Sequence, residues 1–199
     1  MPTLLSKPIT PDLLMAAAVT PILVDVPAAS YLMVDGKGDP STSADFDAAW
    51  KTLEPLAATL WLLIEPDSAP RPLPPLESIW WTDEDDGQEQ GVWTLMVALP
   101  DAATIIHLEQ AMEALRELNQ ELPALDRLRF GRLTEGKAVQ VVQRGPYLPD
   151  GPTFERLLHF AHAHGYSLTG LRHEIYLTDP RRSTPCPLEL LLRYPVYTP

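Results

Sequence analysis

Arg172-His173-Glu174-Ile175-Tyr176-Leu177-Thr178-Asp179-Pro180-Arg181-Arg182 combines a strand, a stop and two cations. Alternation along the run puts Glu174, Tyr176 and Thr178 on one face and His173, Ile175 and Leu177 on the other. Asp179-Pro180 ends the strand in a turn, since proline has no N–H to give a ladder. An acid and a phenol side by side on one strand face need solvent or a polar-tipped pocket. In a pocket with aromatic walls, Glu174 would bind a cation or act as a general base, with Tyr176 beside it as a hydrogen-bonding ligand contact.

Working outward, the chain of 199 residues suffices to bury a core, and its 45% hydrophobic and 21% charged residues are those of a soluble globular protein. The net charge of −12 repels phosphate backbones and anionic lipid. A small-molecule ligand is therefore expected, without direct nucleic acid or membrane partners, in a monomer or homodimer. Cys186 is the single cysteine, which removes any internal disulfide framework and permits a reducing compartment. With no leader pattern in the N-terminal residues, the expected location is cytoplasmic.

Proline and glycine punctuate the rest. Residues 1–18 read as an arm carrying Pro2, Pro8 and Pro11. Ile22–Val34 is extended with a break at Pro27, and Asp35–Pro40 is a turn by composition. A helix follows, capped within Ser41-Thr42-Ser43, with Phe46, Trp50, Leu53, Ala57 and Leu60 at helical spacing and a kink expected at Pro55. Strands Leu76–Thr82 and Val92–Leu99 flank an acidic tip, Asp83–Asp86, that lacks calcium-loop spacing. Asp101 is a candidate cap for a second helix through Ile105, Leu108, Met112 and Leu115. Arg127–Leu133 and Ala138–Gln143 read as a hairpin turning at Thr134–Lys137. Thr153 is the expected cap of a third helix, and strands over Leu171–Leu177 and Leu188–Tyr194 complete the chain.

Element order repeats. A strand ending in a Gly/Pro turn, a helix and a two-strand hairpin occur twice, over about 19–120 and about 125–196, within one domain. The fold class is thus α+β: a tandem duplication of strand–helix–strand–strand modules with antiparallel sheets, helices on one face and a cleft between the halves.

Several side chains could serve that cleft. Trp80 and Trp81 face opposite sides of one strand, Trp93 stands on its partner, and Glu77 alternates with Ile79 and Trp81; all four are candidate ligand contacts. Tyr147, in Gly145-Pro146-Tyr147, is placed to lean a hydroxyl over a cleft and joins Glu174 as a candidate catalytic residue. Glu135 reads as a turn residue. His159 and His162 share a helix face without a completing ligand, so no metal is expected. With no Walker loop, dinucleotide fingerprint or nucleophile elbow, no cofactor is expected either.

Four segments, in order over nearly the whole chain, carry a resemblance: Tyr31–Pro40, Pro75–Trp81, Glu135–Gln140 with Gly145-Pro146-Tyr147, and His173–Arg181 with Leu192–Val196. Together they resemble the GyrI-like small-molecule-binding family, in its stand-alone subgroup of roughly 200 residues. The resemblance implies two modules about a pseudo-twofold with a hydrophobic cleft between them, and Glu174 in that cleft. It further implies binding of aromatic small molecules, with hydrolysis of cyclopropane-bearing toxic natural products as the enzymatic form. Its alternative form is a non-catalytic sensor or sequestering module for cationic aromatics. The chain departs from the subgroup's pattern at Glu54, Ala58, Gln143, Gly151 and Arg172.

Overall fold

The computed structural model describes residues 20–40, 42–67, 72–82, 91–145, 151–181 and 188–199. Tyr147, Cys186 and the acidic tip at Asp83–Asp86 lie outside the described residues. Among the described residues, nine strands and three α-helices follow in the order β1 (Ile22–Val26), β2 (Ala29–Lys37), α1 (Ala44–Ile64), β3 (Leu76–Thr82), β4 (Gly91–Ala98), α2 (Ile105–Glu117), β5 (Leu128–Leu133), β6 (Gly136–Arg144), α3 (Pro152–Ala163), β7 (Ser167–Leu168), β8 (Arg172–Tyr176) and β9 (Glu189–Tyr197). The α+β class is as the sequence implies.

The helix starts differ from the expected ones in two of three cases. Ser43 does cap α1, its Oγ accepting from the Phe46 amide at 3.3 Å. Thr104, not Asp101, caps α2 through the His107 amide. Helix α3 begins on Pro152 after Gly151, without a side-chain cap, because proline at the first position has no amide to satisfy. Pro55 lies inside an unbroken α1, where its missing N–H costs one bond, to the Lys51 carbonyl.

Sequence order anticipated two sheets; the strands form one. Eight run in the order β1-β6-β9-β8-β3-β4-β2-β5, every neighbouring pair antiparallel, and β7 adds to the end of β9. This order is palindromic about the β8/β3 pair. Laying β2 end for end on β6 and following the ladders carries Ser78 onto Glu174, Glu77 onto His173 and Trp80 onto Tyr176. Ser78 and Glu174 are also direct cross-strand partners, so the two pseudo-equivalent positions meet at the axis.

The expected hairpin between β5 and β6 does not form. β5 pairs with β2, while β6 pairs with β1 and β9. In a flat sheet, β5 and β6 would stand about 29 Å apart, six strand spacings. The link through Thr134 and Glu135 can span only about 11 Å. The sheet must therefore curl until its ends meet, and Gly136, at φ 67°, makes the abrupt re-entry into β6. The equally short Pro27-Ala28 link between β1 and β2 imposes the same curl from the other end.

Curling gives the two faces different fates. The outer face carries the helices: α1 rests on β2 and β4, and α3 on β6 and β7. One continuous core lies beneath them, with Leu53, Leu56 and Leu60 of α1 and Leu157 and Ala161 of α3 packed over Leu32, Val97, Val139 and Leu192. The inner face holds smaller clusters around Tyr31, Met33 and Met96, and around Val142, Ile175 and Leu191.

Trp93 shows how tightly the outer face is fitted. Its indole is fully buried over Gly36, its cross-strand partner, and donates from Nε1 to the Gly38 carbonyl at 2.9 Å. A Cβ on Gly36 would lie 2.6 Å from Trp93 Cζ3. Gly36→Ala should therefore destabilise the fold by about 3 kcal/mol, the upper range for overpacking. Urea unfolding measures this, and an unchanged midpoint would show that the indole can move aside.

Candidate functional site

The β8/β3/β9 strip at the centre of the outer face lies between α1 and α3. The side chains it presents there are Ser78 and Trp80 from β3 and Arg172, Glu174 and Tyr176 from β8. Glu174 and Tyr176 share this face, as the alternation of the strand requires.

These groups form a directed chain. Trp80 Nε1–H donates to Ser78 Oγ at 2.7 Å, and Ser78 Oγ lies 2.9 Å from the Tyr176 hydroxyl. The Tyr176 hydroxyl donates to Glu174 Oε2 at 2.9 Å, which commits its only proton, so Ser78 is the donor in the preceding link. Each proton thus points one step closer to the Glu174 carboxylate. Tyr176 is held protonated: burial, followed by the charge of Glu174, pushes its pKa well above 10.0.

Arg172 completes the group from the other side. Its Nε sits 2.9 Å from Glu174 Oε1, although the N–H does not point along that vector, so the contact is an ion pair rather than a directed hydrogen bond. The guanidinium carbon lies 5.2 Å from the centroid of Trp80. Glu174 is 1% exposed, and its partners Ser78 and Tyr176 are buried with it. Trp80 and Arg172 are half-buried and form the outer layer.

Packing fixes the wall on the α1 side. Phe46 of α1 meets Trp93 edge-on at 5.3 Å and Tyr176 at 6.4 Å. Beyond β8, Arg181 stacks 4.4 Å from the Trp50 centroid while two of its nitrogens hold the Asp179 carboxylate. The Asp-Pro-Arg turn thereby ties the end of β8 to α1. On the α3 side, Phe154 packs against Tyr194 at 5.4 Å.

The predicted site residues divide between the faces. Glu174, Tyr176 and Trp80 come together. Trp93 lies behind Phe46 as a packing residue with no exposure, so it is not presented to the cleft. Trp81 and Glu77 point to the inner face, because one step along a strand reverses the side chain. Glu77 is fully buried there. Tyr147 is among the residues not described.

On the inner face, Glu77 belongs to an ionic cluster. His173 Nε2 is 2.9 Å from Glu77 and its Nδ1 is 2.9 Å from Glu135. Arg193 reaches Glu135 at 2.9 Å and Gln140 at 3.0 Å, and the Tyr31 hydroxyl donates to Glu77 at 3.2 Å. Glu135 is therefore no simple turn residue: the curl drives the β5–β6 link against the middle of the sheet. The His173 nitrogens meet their carboxylates at ionic distance without good N–H alignment. Burial opposes charging His173, but Glu135 and Glu77 outweigh it and raise its pKa from 6.5 to about 9. Burial likewise opposes ionising Glu135, yet His173 and Arg193 lower its pKa from 4.5 to about 2. Two acids and two cations leave the cluster neutral.

Sequence reasoning missed Ser78, Phe46 and the ionic role of Arg172. Alternation puts Ser78 with Trp80, but their meeting with β8 depends on a pairing between halves that no local pattern encodes.

Comparison with known proteins agrees with this architecture. A hydrolase from Listeria innocua shares 30% identity, covering 94% of this chain and 96% of its own, with a TM-score of 0.79. An uncharacterized conserved protein from the same organism matches with the same identity, coverage and TM-score. The C-terminal domain of EcmrR has the same fold at 12% identity, covering 90% of this chain and 98% of that domain, with a TM-score of 0.53. No curated protein matches in sequence. The sequence profile of the GyrI-like small molecule binding domain spans residues 20–195, which takes in both helices flanking the strip and every residue of the Glu174 chain. The protein belongs to the family of GyrI-like small-molecule-binding domains.

Proposed function

We propose that the protein takes a flat, apolar aromatic compound into the cleft between α1 and α3 and hydrolyses a strained cyclopropane ring in it, a detoxifying reaction. The observation that carries this reading is the buried Glu174 carboxylate, held on one side by the Tyr176 hydroxyl and on the other by Arg172. A carboxylate so fixed has few rotamers left to lose and is preorganised as a base. Trp80, half-buried at the outer layer, is the ring that an arriving ligand meets first, and it offers a stacking surface.

In the reaction, Glu174 accepts a proton from water as the water oxygen bonds to a cyclopropane carbon. The ring C–C bond breaks, and its electron pair moves through the conjugated system onto a carbonyl oxygen. That oxygen is then protonated from solvent and Glu174 returns its proton to solvent, so the net change is addition of one water. Donors near the developing oxyanion accelerate such a step, and the Arg172 guanidinium is the group at hand. Tyr147 remains a candidate for the same role.

Support also comes from the Listeria innocua relative described as a hydrolase. The test is turnover of a cyclopropane-bearing DNA alkylator, followed by mass spectrometry for the hydrated product. Turnover by the wild type that collapses in Glu174→Gln supports the reading. Equal rates would remove Glu174 from the mechanism, and product from neither protein would leave binding as the function.

A further inference from the structure

The Glu174 side chain is already neutralised from within. Arg172 sits two residues away on the same strand face, with Nε 2.9 Å from Glu174 Oε1 and its guanidinium over the Trp80 ring. Those are the two features, an anion and an aromatic face, that a cationic aromatic ligand would use. Both are engaged by a cation of the protein's own. Arg172 is also part of the outer layer, with 18% of its side chain exposed against 2% for Glu174, so an arriving ligand encounters positive charge before negative. A ligand cation would have to displace Arg172 from Glu174 and Trp80 at once, or sit against it at a like-charge cost. A neutral ligand bearing a carbonyl meets a donor instead, because every polar hydrogen of a guanidinium is a donor and none of its atoms accepts.

We propose that Arg172 determines the specificity of the cleft. By occupying Glu174 and the Trp80 face, it makes the site select uncharged planar aromatics that carry a conjugated carbonyl and discriminate against organic cations. The inference rests on the binding reading above and adds the ligand class to it. It also gives the departure at Arg172 a chemical consequence: a residue without fixed charge at this position would leave Glu174 open to cations.

The test uses two tricyclic probes of nearly equal shape, neutral N-methylacridone and the N-methylacridinium cation. Binding of each to the full chain is followed by fluorescence anisotropy. A salt concentration of about 150 mM limits nonspecific attraction of the cation to the acidic surface. The wild type should bind the acridone about tenfold more tightly or better, a ratio equivalent to about 1.4 kcal/mol. Arg172→Gln should shift the ratio toward the cation by about tenfold or more. Arg172→Lys, which keeps a cation, should stay near the wild-type ratio even if both affinities fall. Arg172→Gln/Glu174→Gln, with both charges gone, should lose the gain for the cation and, carrying no buried charge at either position, serves if the single variant does not fold.

A wild type that prefers the acridinium overturns the inference without any variant. So does an Arg172→Gln protein that binds both probes at the wild-type ratio. If the wild type binds neither probe, the binding reading fails and this inference fails with it, an outcome separate from binding with the wrong preference.

Discussion

Replacing His173 by alanine should destabilise the protein by about 3–5 kcal/mol, the usual cost of breaking a buried ion pair from one side. The substitution leaves Glu77 and Glu135 facing each other inside the curl, with Arg193 ion-paired to Glu135. It also opens the middle of the inner face, where the two ends of the sheet are brought together. Urea unfolding at neutral pH measures the loss. A change below about 1 kcal/mol would mean that the pocket readily admits water or neutralises an acid.

The same cluster sets a pH dependence. His173 is raised from 6.5 to about 9, so its contribution is complete below pH 6.5 and disappears as pH climbs through about 9. That span corresponds to about 3 kcal/mol for a fully buried group. Glu135 is lowered from 4.5 to about 2, so its contribution is complete above pH 4.5 and is lost as pH falls toward about 2. The two effects describe one shared interaction and are not to be added. Between pH 4.5 and 6.5 the cluster holds its full value. Wild-type stability should fall on either side of that window, and His173→Ala should flatten the alkaline limb.

Glu174→Gln should cut kcat for cyclopropane opening by a factor of about 10²–10⁴, the contribution of a positioned general base. The amide keeps the size of the carboxylate and can still accept from Tyr176, so substrate binding should change less than kcat. Breaking the ion pair between Glu174 and the half-buried Arg172 guanidinium costs stability as well. Circular dichroism must therefore accompany the kinetics. A variant that is folded, binds substrate and turns it over at the wild-type rate would exclude Glu174 as the base. Loss of kcat with binding retained assigns it to the chemical step.

Much of this was legible in the local pattern. The alternation of Glu174 with Tyr176, the opposite facing of Trp80 and Trp81, a helix cap within Ser41-Thr42-Ser43 and the Gly136 turn all follow from single residues and their neighbours. Errors arose where distance along the chain hid proximity in space. Trp93 on a largely apolar strand reads as a ligand contact until Phe46 of α1 is seen covering it. Glu135 next to a glycine reads as a turn residue until the turn is found against His173 and Arg193.

By itself, the sequence determined which side chains share a strand face, because pleating is a property of the backbone alone. It thereby determined that Glu174 and Tyr176 stand together and that His173 stands opposite them. Only the tertiary structure decided which face carries the helices and which becomes the inside of the curl. It also decided that β3 and β8 pair in the register that sets Ser78 against Glu174 and Trp80 against Arg172. Those choices depend on contacts between segments about 100 residues apart, where packing and link length act across both halves at once.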